Sequence, residues 1–344
     1  MLQYFDLNKL KLLFVYDKTD PLVFTSSMFL FAFFILLLLY RLLYKNKSAR
    51  IYLLIIFSAF FYYKASGIYF LLLFVVSFLN YYMGKWIDAV QNRKGRYWLF
   101  LLSILLNIGL LIYFKYTSFF IQVINDVRGS QIAPLDIFLP LGISFITFKA
   151  LSYVIEIYLE NIKPVNSIRD FTLFIFYFPT LQLGPIERAS NFLPQVEEDN
   201  PVSKEMIGTA VFLIMCGLLK KVVIADYIGI NFVDRVFETP LRFTGVENLI
   251  AAYSYTLQLY MDFSGYTDMA LGISLLLGYK LTDNFNAPFK ALSIPDFWRR
   301  WHITLSSWCL DYIFKPLQAK FRNMNLFGNA LALFITFLSI SFFF

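Results

Sequence analysis

Histidine is nearly absent from this sequence: His302 is the single one in 344 residues. That excludes metal sites built from clustered imidazoles, and any mechanism needing two of them from this chain. Cysteine is almost as scarce, with Cys216 and Cys309 only. There is therefore no disulfide framework, no multi-cysteine zinc site, and no metal to expect. Charge is short as well, at 15% of residues, where a soluble domain carries roughly 25%. Catalytic signatures are missing too: no Walker loop, nucleotide-binding glycine pattern, G-x-S-x-G elbow or H-E-x-x-H occurs. What is present is apolar and aromatic. Hydrophobic residues make up 59%, and aromatics alone 20%, as 41 Phe, 23 Tyr and 5 Trp. Disorder, collagen and coiled coil are excluded, and a soluble fold lacks the polar surface it needs. The composition describes an all-α polytopic membrane protein. The net charge of +7 is distributed as membrane topology distributes it, so no nucleic-acid partner is expected.

Apolar runs mark the spans. The first is Leu22 to Leu43, long enough to cross a hydrocarbon core of about 30 Å. No cleavage site follows it and the charge ahead of it is balanced, so it is not read as a removable signal. Ile51 to Tyr63 and Ile68 to Met83 follow, linked through Lys64 and Gly67. Trp98 to Phe120 and Leu139 to Leu159 are the fourth and fifth. The 13-residue run Ile51–Tyr63 is short and must be tilted or helped by its flanks. Arg41, Lys45, Lys47 and Arg50 form one basic loop, and Lys85, Arg93, Lys94 and Arg96 another. The positive-inside rule places both in the cytoplasm and the N-terminus outside. Residues 1–344 read as one domain in the inner membrane.

Past Lys163-Pro164 the runs shorten, broken by Pro179, Gly184-Pro185, Pro194, Pro201, Gly265, Pro288 and Pro295. Irregular backbone at membrane depth survives only where protein buries it or a wet cavity is lined by it. The first half reads as scaffold, the second as the place of chemistry or transport. Three segments concentrate that signal. In Ser293–Pro316, Ser293 and Asp296 form a capping box, with Pro295 in the first turn of a helix. On that helix His302 shares a face with Trp298, Arg299, Leu305, Ser306 and Cys309. His302 is either a packed, hydrogen-bonded core residue or a proton-handling imidazole. Arg299 and Arg300 either snorkel at the interface or hold an anionic group. In 260–268, Asp262, Ser264, Tyr266 and Asp268 lie on adjacent faces of a helix broken around Gly265. They are buried struts or cavity lining, and the acids need partners or water. The stretch Phe178–Arg188 cannot be continuous helix because of Gly184-Pro185. It reads as a re-entrant or juxtamembrane loop, and Leu139–Phe145 as a softer version.

Taken in order, these segments resemble the membrane-bound O-acyltransferase (MBOAT) family, in its alginate-acetylation (AlgI-like) and D-alanyl-transfer (DltB-like) branch. The pieces that carry the likeness are LPLGISFITFKALSYVIEIY (139–158), FPTLQLGPIERA (178–189), YMDFSGYTDMALGISLLLGY (260–279), NFNAPF (284–289) and DFWRRWHITLSSW (296–308). The resemblance implies a ring of tilted transmembrane helices around a tunnel in which acyl donor and acceptor meet. It implies acyl transfer to a hydroxyl, commonly acetyl to an extracytoplasmic polysaccharide with a partner protein on that side. No bound cofactor is implied; the donor, an acetyl thioester or carrier, is a substrate. His302 matches the family's first histidine, in W-x-R-W-H, and is this chain's own candidate for the catalytic residue. Trp298, Arg299 and Arg300 match its surroundings. Asp262, Ser264 and Tyr266 match D-F-S-G-Y near the chamber, and Glu187 matches the G-P-I loop.

Two departures accompany the likeness. Leu310 stands where W-L-R-D-Y would have its arginine. The family's second histidine, in G-x-W-H-G on the following span and the one usually assigned as catalytic, has no counterpart before Phe344. The fold is therefore expected to be incomplete at the C-terminus, and the chain alone to insert in the membrane with little or no acyl transfer. D-alanyl transfer, an inactive remnant, and a transporter or flippase built on broken helices are the alternatives. No internal repeat supports the last.

Overall fold

Backbone N–H and C=O groups find no water in hydrocarbon, so an apolar chain satisfies them within helices. The computed structural model describes residues 14–17, 21–133, 135–198 and 201–343, and every regular element among them is helical. The charges at 1–13 and 18–20, read as balanced ahead of the first run, and Phe344 lie outside the described residues.

The first helix, α1 (Ser27–Leu42), is shorter than its apolar run because Ser26 caps it, accepting from Phe29 N at 3.2 Å. Leu22 and Phe24 precede the helix and are buried, Phe24 stacked on Tyr266 at 4.5 Å. Helix α2 (Lys47–Ser66), capped by Asn46, is longer than its 13-residue run, which corrects the expectation of a short span. Its charged ends are accommodated inside the protein. Arg50 lies over the rings of Tyr40 and Tyr44, and Lys64 Nζ donates to Val15 O at 2.7 Å. After a turn at Gly67–Tyr69 follow α3 (Phe70–Ala89), α4 (Arg93–Arg128) and α5 (Ile143–Tyr158). Asn80 of α3 and Asn107 of α4 exchange amide hydrogen bonds at 3.0 and 2.8 Å, both side chains buried.

The two basic loops lie at one end of the bundle. Arg169 reaches Ser48, Arg96 donates to the carbonyls of Ile157 and Tyr158, and Lys163 pairs with Asp88. From that end α6 (Ile168–Phe176) enters the interior and α7 (Ala189–Glu197) returns. Residues 171–178 are almost wholly buried, and Phe178 is ringed by Phe24, Phe29, Phe33, Phe57 and Phe61 with centroids 5.0–6.3 Å away. Each such aromatic pair contributes about 0.5–1.5 kcal/mol beyond burial. The break in helix expected over 178–188 is present, between the end of α6 at Phe176 and the start of α7 at Ala189.

A long rod follows: α8 (Lys204–Leu218) runs on through π-type turns to Glu238. It packs along α9 (Gly245–Leu276), which Thr244 and Glu247 start with a capping box. The helix is unbroken at Gly265, contrary to the sequence expectation. Glycine serves close approach there: a Cβ on Gly265 would lie 2.8 Å from Gly217 O, and one on Gly217 2.5 Å from Gly265 O. Across the same seam Lys220 pairs with Asp268 and Lys221 with Asp262, each at 2.6 Å, and Lys221 also holds Asp226 at 2.6 Å. The remaining helices are α10 (Ile294–Trp298), α11 (Ile303–Cys309), continued to Lys320, and α12 (Asn325–Phe343). Among the described residues four stretches are long and apolar enough to cross a membrane: Lys47–Ala89, Arg93–Arg128, Lys204–Glu238 and Arg322–Phe343.

Two outcomes follow from the α8–α9 seam. Gly265→Val forces the rods apart and is expected to cost at least about 1–3 kcal/mol, seen as a lower thermal midpoint in detergent. Gly109→Ala, with nothing within 4 Å of the added Cβ, should not lower it. Asp268→Ala, which strips Lys220 of its carboxylate, should destabilise more than Asp262→Ala, which leaves Lys221 on Asp226. The difference expected is about 1–3 kcal/mol, and equal midpoints would refute the pairing.

Candidate active site

Two largely irregular segments meet beside the helices. One is 177–188, between α6 and α7; the other is 277–302, between α9 and α11, interrupted by the short α10. Where they are buried, at 177–187 and around Asn284, their polar groups are satisfied within the protein. Glu187 Oε1 accepts from Thr282 N, and Thr304 Oγ1 accepts from Ile186 N at 3.0 Å. Ile303 N donates to Asn284 O at 2.9 Å and Asn286 N to Arg300 O at 3.0 Å, so 284–286 runs against 300–303.

Glycine positions the first segment. Gly142, at φ 68°, lies so close to it that a Cβ would sit 1.8 Å from Leu181 O. Gly184 packs on Pro179 O in the same way, at 2.1 Å. The Leu139–Phe145 turn and the re-entrant loop are therefore one packed unit.

His302 lies where the segments converge. The continuous helix expected through it does not exist: α10 ends at Trp298, and His302 is the N-cap of α11 with φ 43°, ψ 55°. The side chain is buried, 6% exposed. Its ring meets Phe263 edge to face at 4.8 Å and lies 6.3 Å from Phe145. Its Nδ1 is 3.0 Å from Asn284 Oδ1. Of the residues expected on its face, Trp298 instead packs on Phe337 at 5.5 Å. The capping expectation is half met: Ser293 Oγ accepts from Asp296 N at 3.3 Å, but Asp296 Oδ2 accepts from Leu292 N, not from Ser293. Arg300 is held by Asp296 at 3.0 Å and by Asn286 O at 3.3 Å, whereas Arg299 is exposed.

The other sequence candidates fall into two places. Asp262 and Tyr266 line a cavity of about 490 Å³ together with Tyr16, Phe24, Gln182 and Lys221. Tyr266 donates to Gln182 Oε1 at 2.5 Å, which ties α9 to the re-entrant loop. Glu187 belongs to the loop junction beside His302, and its Oε2 has no partner among the described residues. Ser264 is fully buried, its hydroxyl likewise unpartnered there.

Several participants escaped the sequence reading. Lys149 is buried on α5, donates to Thr180 Oγ1 at 2.8 Å and attracts the Glu187 carboxylate. Asn284, 0% exposed, accepts from Thr304 N and Thr304 Oγ1. Arg188 pairs with Asp311 at 2.6 Å and lies over Tyr312. An arginine thus reaches the Asp-Tyr pair from another segment, beside the position where Leu310 stands. A lone lysine in an apolar run was the available signal for Lys149, and a buried-looking amide in N-F-N for Asn284.

Comparison with known proteins agrees with this arrangement. The pattern of the membrane-bound O-acyltransferase family, MBOAT, matches residues 157–343. A peptidoglycan O-acetyltransferase of Helicobacter pylori is 36% identical over 284 residues, covering 74% of this chain and 54% of the relative. A probable alginate O-acetylase AlgI of Pseudomonas aeruginosa is 38% identical over 249 residues, 70% of this chain and 47% of the relative. A teichoic acid D-alanyltransferase of Bacillus subtilis is 36% identical over 179 residues, 51% and 44%. The chain spans about half the length of these curated relatives. The matched region contains both segments that meet at His302, and this multi-pass chain belongs to the membrane-bound O-acyltransferase family.

Proposed function

We propose that this chain carries His302 as the acid–base residue of a membrane O-acyltransferase that moves an acetyl group to hydroxyls of an extracytoplasmic polysaccharide. The observation that carries the reading is the burial of the sole imidazole at the junction of two largely irregular segments, hydrogen-bonded through Nδ1 and packed on Phe263. A protein that only needed to span a membrane would not retain irregular, polar backbone there. In the reaction the acceptor hydroxyl oxygen bonds to the acyl carbon while the imidazole takes the hydroxyl proton. The bond from that carbon to the donor's sulfur then breaks, and the proton passes to the departing thiolate. The donor is an acetyl thioester or carrier, and no bound cofactor takes part.

Acetyl is favoured over D-alanyl transfer because the O-acetyltransferase relatives match 74% and 70% of the chain and the D-alanyltransferase 51%. A transporter reading rested on broken helices and intramembrane acids; α9 runs unbroken through Gly265, and Asp262 and Asp268 are both ion-paired. The basic end of the bundle faces the cytoplasm of a bacterial inner membrane, so the acceptor, alone or with a partner acetyltransferase, approaches from the other end. The cavity at Asp262 and Tyr266 is part of that approach.

The test is made at the gene's own locus. Deletion, and separately His302→Ala, should remove base-releasable acetate from the cell's surface polysaccharide, the substitution lowering turnover by about 10²–10⁴-fold. Unchanged acetate after deletion, under conditions where the gene is expressed, rules out the acetyl-transfer reading.

A further inference from the structure

A neutral imidazole carries its proton on one nitrogen, and only the other can act as a base. Which one is protonated at His302 is set by the hydrogen bonds around Asn284. We infer that Asn284 is a positioning residue that holds His302 in the form protonated at Nδ1, leaving Nε2 as its basic nitrogen. This deepens the function proposed above and rests on it for its catalytic meaning.

The argument is one of donors and acceptors. The two ends of an asparagine amide are alike in shape, so their identity must come from partners that have no choice. Thr304 N is such a partner: a backbone N–H only donates, and it lies 3.2 Å from the Asn284 side-chain atom, which must therefore be the oxygen. Thr304 Oγ1 is 2.9 Å from the same oxygen and also receives Ile186 N–H at 3.0 Å. Its lone pair is taken by Ile186 and its hydrogen is directed to Asn284. The third neighbour of that oxygen is His302 Nδ1 at 3.0 Å. An amide oxygen donates nothing, so Nδ1 must carry the hydrogen.

The backbone makes this arrangement stiff. Asn284 O accepts from Ile303 N at 2.9 Å, which fixes Asn284 beside the residue that follows the histidine. His302 itself sits at φ 43°, a conformation costing about 1–3 kcal/mol that persists only when its surroundings over-determine it. The Phe263 edge against the ring, at 4.8 Å and 88°, leaves little room for rotation about the last side-chain bond. The re-entrant loop therefore reaches the imidazole in three links, from Ile186 N–H through Thr304 and Asn284 to Nδ1.

One histidine per chain makes the test direct. The 344-residue chain is labelled with ¹⁵N-histidine, purified through a histidine-free tag and placed in lipid nanodiscs. Two-bond ¹⁵N–¹H couplings to the ring protons then report which nitrogen is protonated. The wild type should show Nδ1–H alone. Asn284→Ala should show Nε2–H or a mixture, and Asn284→Asp, which keeps an acceptor oxygen, should restore Nδ1–H. Nε2–H in the wild type overturns the inference without any variant having to fold. Nδ1–H unchanged in a folded Asn284→Ala overturns the role of Asn284. At the gene level Asn284→Ala should lower kcat at least tenfold with KM little changed. Loss of the acyl-transfer reading with the wild-type tautomer as stated would leave the positioning standing and remove only its catalytic meaning.

Discussion

Glu187 accepting the backbone N–H of Thr282 is the joint on which the interior depends. Two largely irregular stretches of chain meet beside the helices, and neither can hydrogen-bond to lipid. A carboxylate can accept at both oxygens, and a buried one needs a cation or strong donors nearby. Lys149 on α5 donates to Thr180 Oγ1 while Glu187 accepts from Thr282 N, so the loop is tethered on both flanks of Gly184-Pro185. From this joint the second segment is aligned against the first, and the pairing of 284–286 with 300–303 follows. The position of the imidazole is a result of these bonds, since no regular element carries it.

What the sequence made legible was set by distance along the chain. Apolar runs located the helices because membrane burial acts on each residue independently. Helix ends were less legible: Arg50 and Lys64 look like terminators, yet rings of α1 and a carbonyl of Val15 accept them. Gly265 resembled a break because glycine disfavours helix by about 1 kcal/mol. That is small beside the packing gained when Gly217 approaches from 48 residues away, and only the three-dimensional seam reveals it. The acids at 262 and 268 correctly demanded partners, but Lys220 and Lys221 lay beyond any local spacing rule.

The histidine was found and its surroundings were not. No proline or glycine stands between Phe297 and Thr304, so nothing local forecast that α10 would end and His302 adopt a left-handed backbone. The cause is Asn284, whose side-chain oxygen and backbone carbonyl capture the first N–H groups of α11. A helix start determined by an asparagine eighteen residues earlier is a tertiary event. By contrast the G-P-I loop was legible, because proline chemistry is local.

The ion pairs between α8 and α9 have a consequence for biogenesis. By length α9 is ample, yet it is not among the helices apolar enough to cross alone. A carboxylate or ammonium at mid-bilayer costs at least about 2.5 kcal/mol on insertion scales, and α9 brings Asp262 and Asp268 while the preceding rod brings Lys220 and Lys221. Released singly into lipid, α9 would carry Asp262 and Asp268 unmatched and the preceding rod Lys220, only Lys221 having an acid, Asp226, on its own rod. Released together they neutralise one another across a seam already shaped by Gly217 and Gly265. The connection at 239–244 is short enough for this pairing to occur as the chain emerges. Entry of the two rods as one hairpin is the route that matches these charges before they meet lipid.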